Sequence, residues 1–213
     1  MTTGNTTFDL QCTRCPRLAQ FLGEVRLQYP AYHAKPVPAF GDKNARLLVV
    51  GLAPGKHGAN ATGRPFTGDF AGILLYETLY KFGFASAPQS VGVNDGLRLI
   101  NCRITNAVKC LPPENKPVGA EIKTCNSYLT EELKTLPGNS IVIALGTIAH
   151  NAVLRALDTK LSAFKFGHNV VHQPGEGITL IDSYHCSRYN TQTRRLTPKM
   201  FDQVFQRATE LLA

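Results

Sequence analysis

From Arg46 onward the chain alternates between two hydrophobic textures. RLLVVG (Arg46 to Gly51) is an unbroken apolar run ending in glycine, the pattern of a strand buried on both faces. A glycine-rich stretch follows. Helical spacing then takes over from Asp69 to Phe82, where Ile73, Leu74, Tyr76 or Glu77 and Tyr80 recur and Asp69 stands at the first turn. Leu97 to Asn106 predicts a second strand, and Val118 to Leu136 a helix that stops before Pro137-Gly138. IVIAL (Ile141 to Leu145) predicts a third strand with a helix behind it over Gly146 to Asp158. GITLIDS (Gly177 to Ser183) predicts a fourth, and an amphipathic helix closes the chain over Thr197 to Leu212. Residues 1–45 are irregular apart from a helix over Leu18 to Gln28, punctuated by Pro16, Pro30, Pro36, Pro38 and Gly41.

Strands alternating with helices predict an α/β chain whose mostly parallel sheet is covered on both faces. In such sheets ligands bind beyond the carboxyl ends of the strands. GLAPGKHG follows the first strand, TNAVKC closes the second and SYHCSRYN follows the fourth. These three ends supply glycine-rich or polar groups, Asn106 and His185 among them. LGTIAHN, after the third strand, reads as the plain start of a helix.

The composition narrows the class. With 213 residues, 43% apolar and 18% charged, the chain is neither disordered nor a solvated tail. At about 150 residues per domain, one domain over 1–213 is expected, with a cysteine-bearing segment of residues 1–45 packed on it. Lys and Arg number 23 against 15 Asp and Glu, a formal +8 with pI near 9.3, which points to a polyanionic partner. No apolar run approaches the roughly 20 residues of a membrane span, and MTTGNTTFDL lacks the basic start and apolar stretch of a leader. A cytoplasmic, reducing compartment is therefore expected, where six cysteines suggest metal or chemistry before disulfides.

GLAPGKHGANATGRPFTGD (Gly51 to Asp69) holds five glycines in 19 residues. It is no phosphate-binding P-loop: three residues, not four, separate Gly51 from Gly55, and His57 follows Lys56 where a Ser or Thr is required. What remains is a backbone that can approach a ligand closely. Phe66 in this loop is either a stacking platform or a cap on the core. His57 is a further candidate contact, and Asp69 either caps a helix or serves chemistry.

The cysteines divide by spacing. Cys12-x2-Cys15 is a strong ligand pair, and Cys110 and Cys125 form a second, looser one. Four thiolates from two pairs suit structural zinc or a [4Fe–4S] cluster, and spacing does not choose between them. Cys102 reads as a buried strand residue and Cys186 as a bystander beside His185. His150, His168 and His172 read as ordinary surface or core histidines. Arg188, Arg194, Arg195, Lys199 and Arg207, interleaved with Ser187, Asn190, Thr191, Gln192 and Thr193, make either a solvated basic face or a phosphate-contacting surface.

Together these segments resemble a known family. GLAPGKHGANATGRPFTGD is similar to motif 1 of the family 5 uracil-DNA glycosylases (the UDGb type), SYHCSRYNTQTRRLT to their motif 2 loop, and ITNAVKCLPPENKP to the segment between. The likeness spans residues 12 to 205. It implies a uracil-DNA glycosylase-like α/β/α sandwich around a parallel four-stranded sheet, and hydrolysis of the N-glycosidic bond to uracil and other deaminated bases such as hypoxanthine. It also implies that Cys12, Cys15, Cys110 and Cys125 hold a [4Fe–4S] cluster, with structural zinc as the alternative. Leu52 stands where family 4 enzymes carry an acid, and Asp69 matches the position proposed in family 5 for activating water. The chain departs from the family at Tyr189, where Gln is usual, and at Arg194, where Gly is usual.

The resemblance and the strand ends together give an expected site. The base is extruded from the duplex, Phe66 stacks on it, and the backbone of Gly51, Leu52 and Ala53 lines its edge. Asn106 pairs with the uracil face and His185 stabilises the developing oxyanion. Asp69 orients or deprotonates water. Ser187, Arg188, Tyr189, Asn190, Arg194 and Arg195 form the expected DNA surface, with a nucleoid-associated monomer acting on one lesion. The rival readings are a non-catalytic, metal-stapled nucleic-acid-binding module and a nucleotide hydrolase, against which the failed P-loop spacing already counts.

Overall fold

A computed structural model of the chain describes residues 8–213; residues 1–7, which include most of the stretch read above for a leader, lie outside the described residues. Six strands form one sheet: β1 (Phe40–Gly41), β2 (Leu47–Gly51), β3 (Cys102–Asn106), β4 (Ser140–Leu145), β5 (Val171–Gly175) and β6 (Ile178–Ser183), in the order β1-β3-β2-β4-β6-β5. The four central strands β3, β2, β4 and β6 run parallel, as expected, and the two short edges pair antiparallel. β5 escaped the pattern because VHQPG is polar and holds Pro174, which a bulged edge strand tolerates. The second strand is shorter than expected. Asn101 adopts φ +48° and breaks it, while Leu99 bridges to Ala85 instead.

Alternation along the parallel strands divides the core into two faces. Leu48, Val50, Val142, Ala144 and Leu180 face α1 (Pro16–Gln28), α4 (Gly119–Lys134) and α5 (Thr147–Ala156). Leu47, Val49, Ile141, Ile143 and Ile181 face α3 (Phe70–Lys81) and α7 (Pro198–Leu212). The result is a three-layer α/β/α sandwich. Two short helices sit at the strand ends, α2 (Ala59–Thr62) inside the glycine-rich loop and α6 (Arg188–Gln192) after β6.

The N-terminal segment packs on this frame through Leu18, Leu22 and Val25 of α1. Arg17 grips Glu121 of α4 with both nitrogens, at 2.7 and 2.8 Å, and Glu121 in turn accepts the Val118 N–H at the start of that helix. No helix among the described residues is long and apolar enough to cross a membrane.

Candidate active site

Register brings the two first motifs together. Gly51 at the end of β2 lies beside Asn106 at the end of β3, and Leu145 at the end of β4 beside Ser183 of β6. Beyond these ends opens a cavity of about 510 Å³. Leu52, Ala53, Phe66, Asp69, Asn106 and His185 line it with Ser187 and Arg188, so eight of the expected residues share one space. Gly51 does not line it but makes room for those that do. A Cβ there would come within 2.4 Å of the Asn106 carboxamide oxygen and 2.6 Å of the Phe66 ring. Phe66 is itself held at φ +59°, with its ring 6.1 Å from the His185 ring and tilted 26°.

Asp69 precedes α3 but does not cap it. Its carboxylate turns back and accepts the Ala59 N–H at 3.0 Å. Gly55 and Gly58 keep the space open, since a Cβ on either would lie 2.2 or 2.0 Å from that carboxylate. Burial raises the Asp69 pKa above the ordinary value, and the amides of Ala59 and Gly55 draw it back only in part. Burial lowers His185 to about 4, which keeps its imidazole neutral near pH 7. Nδ1 of His185 and the side-chain oxygen of Asn106 are buried with no hydrogen-bond partner among the described residues. Buried polar groups are nearly always paired, and of the six unpaired side-chain atoms among the described residues these two belong to residues that line the cavity, where a polar ligand would pair them.

The loop after β6 is ordered from within. Ser187 accepts the Asn190 N–H at the start of α6, and the Asn190 side chain donates to the His185 carbonyl at 2.8 Å. These two residues, expected at the DNA surface, therefore fix the loop that carries His185. Arg188, Tyr189, Arg194 and Arg195 are exposed as expected; Arg188 lies over Phe70 and Arg195 over Tyr184. Arg194 adopts φ +57° just past the end of α6, a conformation that favours glycine. His57 is exposed and bonded to the Tyr32 hydroxyl at 2.8 Å, and it is not among the cavity-lining residues.

Sequence reasoning missed part of the wall. Leu145, Gly146, Thr147 and Ile148 line the cavity, so the third strand end, read as a plain helix start, belongs to the site. The strand-end rule applied to it equally. Asn115, from the turn after Cys110, and Phe70 also contribute.

Cys12, Cys15, Cys110 and Cys125 meet at a second, smaller cavity with Arg14, Lys109 and Tyr128. The Lys109 N–H donates to Cys125 Sγ, and Lys109 itself is buried between Glu132, at 2.8 Å, and the Thr105 hydroxyl. Among the described residues, the metal-competent group whose donor atoms all lie within 4.8 Å of one another is a different one, His150, His172 and Asp182. Cys102 and Cys186 are buried, as expected of bystanders, and burial pushes the Cys186 thiol up to about 12.

His150 and His172 are core histidines, joined through one buried carboxylate. His150 donates to one Asp182 oxygen at 2.7 Å and His172 to the other at 3.0 Å, and His150 Nε2 meets the Phe164 carbonyl at 3.1 Å.

The family model for the uracil DNA glycosylase superfamily matches residues 38–209. The type-5 uracil-DNA glycosylase of Thermus thermophilus is 44% identical over 205 residues, covering 94% of this chain and 93% of its own. That of Pyrobaculum aerophilum is 42% identical, covering 93% of this chain and 88% of its own. A type-4 uracil-DNA glycosylase of Archaeoglobus fulgidus is 32% identical over 153 residues, covering 70% of this chain and 69% of its own. Matched nearly end to end by type-5 relatives, the chain belongs to the uracil DNA glycosylase superfamily.

Proposed function

We propose that this chain is a DNA repair glycosylase that hydrolyses the N-glycosidic bond of uracil in DNA, leaving an abasic site. The observation that carries the reading is that Asn106 and His185, each with an unpaired buried polar atom, line one cavity with Phe66 and Asp69. Uracil offers an N3–H donor to the Asn106 oxygen and a carbonyl to the Asn106 amide group. Phe66 offers a face for stacking.

The extruded base enters this cavity at the cost of unstacking, a few kcal/mol. As the C1′–N1 bond breaks, its electron pair passes to the base and charge builds on the uracil carbonyl oxygen. The neutral His185 donates a hydrogen bond there from its imidazole N–H. Asp69, ionised above its raised pKa, orients water, takes its proton as oxygen bonds to C1′, and offsets the cationic sugar. Buried in a low-dielectric pocket, these interactions act more strongly than in water.

The four cysteines would hold a [4Fe–4S] cluster. All four line one small cavity together with Arg14 and Lys109, and four thiolates beside two cations suit such a cluster. Hydrolysis transfers no electrons, so Cys12, Cys15, Cys110 and Cys125 would through that group order the segments that bear them; Cys110 lies four residues beyond Asn106. Arg188, Arg194 and Arg195 hold phosphates, which makes binding salt-dependent. The chain works as one domain, as a monomer, at the nucleoid, and on hypoxanthine as well as uracil. A duplex with one uracil, treated with the protein and then alkali, should break at that position. An intact strand overturns the proposal.

A further inference from the structure

A third cavity, of about 530 Å³, adjoins the first and shares Phe66, Asp69, Phe70 and Arg188 with it. Its other walls are Ile73 of α3 and the loop Gln89 to Val91. The apolar groups around it are open to solvent: Phe70 is 38% exposed, Ile73 57% and Val91 73%, with Val93 at 52% just beyond. Exposed apolar clusters of this kind mark binding surfaces.

The loop is not loose. The Arg64 guanidinium, buried beneath it, donates to Asp95 at 2.8 Å, to the Val93 carbonyl at 2.6 Å and to the Ser90 hydroxyl at 3.1 Å. Asp95 accepts the Val91 and Gly92 N–H groups, and Ser90 bonds to Thr67 of the glycine-rich loop at 2.7 Å. A buried ion pair thus holds Val91 outward in one position. The floor is equally close-fitting. A Cβ on Gly72 would strike the Phe66 carbonyl oxygen at 1.8 Å.

We infer that this groove receives the nucleotide next to the extruded one in the same strand, its base against Ile73 and Val91 and its phosphate against Arg188. Continuity with the base pocket argues for that occupant. So does size, because a strand that places one nucleotide in the first cavity presents its neighbour to another of matching volume. The charge fits as well. Arg188 lies over Phe70 on the rim that the two cavities share. Apolar faces suit a base without reading its identity.

The inference rests on the uracil-excision reading, and the test separates the two. Single-turnover uracil release is measured for the full chain and for the exposed-site variants Ile73→Ser and Val91→Ser. The duplexes carry an abasic analogue 5′ of the uracil, 3′ of it, or opposite it. For the unaltered protein, loss of the base on one flank should lower the single-turnover rate at subsaturating enzyme by roughly tenfold. The variants should start roughly tenfold lower on the intact duplex and lose nothing further when that flanking base is removed. Full additivity on both flanks, or non-additivity only with the opposing-strand analogue, overturns the groove assignment while uracil release stands. No release from any duplex overturns the underlying function instead.

Discussion

Two acid–histidine groups hang on β6 and its continuation, and they are built on opposite principles. Asp182, inside the strand, is fully buried and satisfied by His150, His172 and the Gly167 N–H. His185, three residues on, is buried at Nδ1 with no partner among the described residues, across the cavity from Asp69. Where the hydrogen bonds close on themselves, the group serves the fold: Asp182 ties β5, β6 and α5 together. Where they are left open, the protein has kept donors and acceptors for something it does not itself contain.

The largest effect should fall on the closed group. Asp182→Ala leaves His150 and His172 without their shared anion, a loss of about 3–5 kcal/mol for breaking a buried pair. At about 2–4 °C per kcal/mol for a chain of this size, the melting temperature should drop by about 6–20 °C. A drop under about 2 °C would show that the closed group does not hold the fold.

Gly58→Ala probes the open group. The added Cβ must displace the Asp69 carboxylate, and an ångström of misplacement costs on the order of 10²-fold in rate. Single-turnover uracil release reads this directly, and an unchanged rate would mean that the position of Asp69 does not matter.

The two groups should also tilt stability in opposite directions with pH. Burial disfavours the charged form of His150, but its bond and charge interaction with Asp182 outweigh that and raise its pKa. Its contribution is full below the unfolded value of about 6.5 and is lost as pH rises through the raised folded value. His185, lowered to about 4, works the other way: stability falls as pH drops from about 6.5 toward 4, because only the unfolded chain takes the proton. Urea midpoints across pH 4 to 9 for His150→Gln and His185→Ala should each lose one of these slopes. Loss of the same slope in both would erase the contrast.

These two groups were unequally legible in the sequence. The parallel strands were readable because Arg46 to Gly51 and Ile141 to Leu145 are apolar throughout, and the strand-end rule then located Asn106 and His185. The cysteine pairs were readable from their spacing and Phe66 and Asp69 as candidates in the glycine-rich loop, while the resemblance of the motifs implied their roles. The Asp182 knot was invisible, because His150, His172 and Asp182 are scattered over three elements and only the pairing of β5 with β6 unites them. The edge strand β5 was hidden by its own polarity, and the Leu145 to Ile148 wall by a helix start that looked ordinary. The Arg64–Asp95 clamp joins residues 31 apart through a loop with no periodicity to betray it.

The smallest effect concerns the loop that carries His185. Arg194 sits in a left-handed conformation that glycine adopts freely, so Arg194→Gly should gain up to about 1 kcal/mol in stability. It should also reduce the slope of log affinity against log salt by about 1, if that guanidinium meets a phosphate. A loss of stability would mean that the arginine makes contacts that outweigh its strain.

The most direct test sets the two histidines side by side. Single-turnover release of uracil from a duplex is measured for His185→Ala and His150→Gln at a temperature where both are folded. His185→Ala should lose on the order of 10²–10³ in rate, the cost of removing one oxyanion donor, while His150→Gln stays within about threefold of the unaltered chain, as expected of a residue remote from the chemistry. Comparable losses in the two, or the larger loss in His150→Gln, would contradict the assignment of catalysis to the open group.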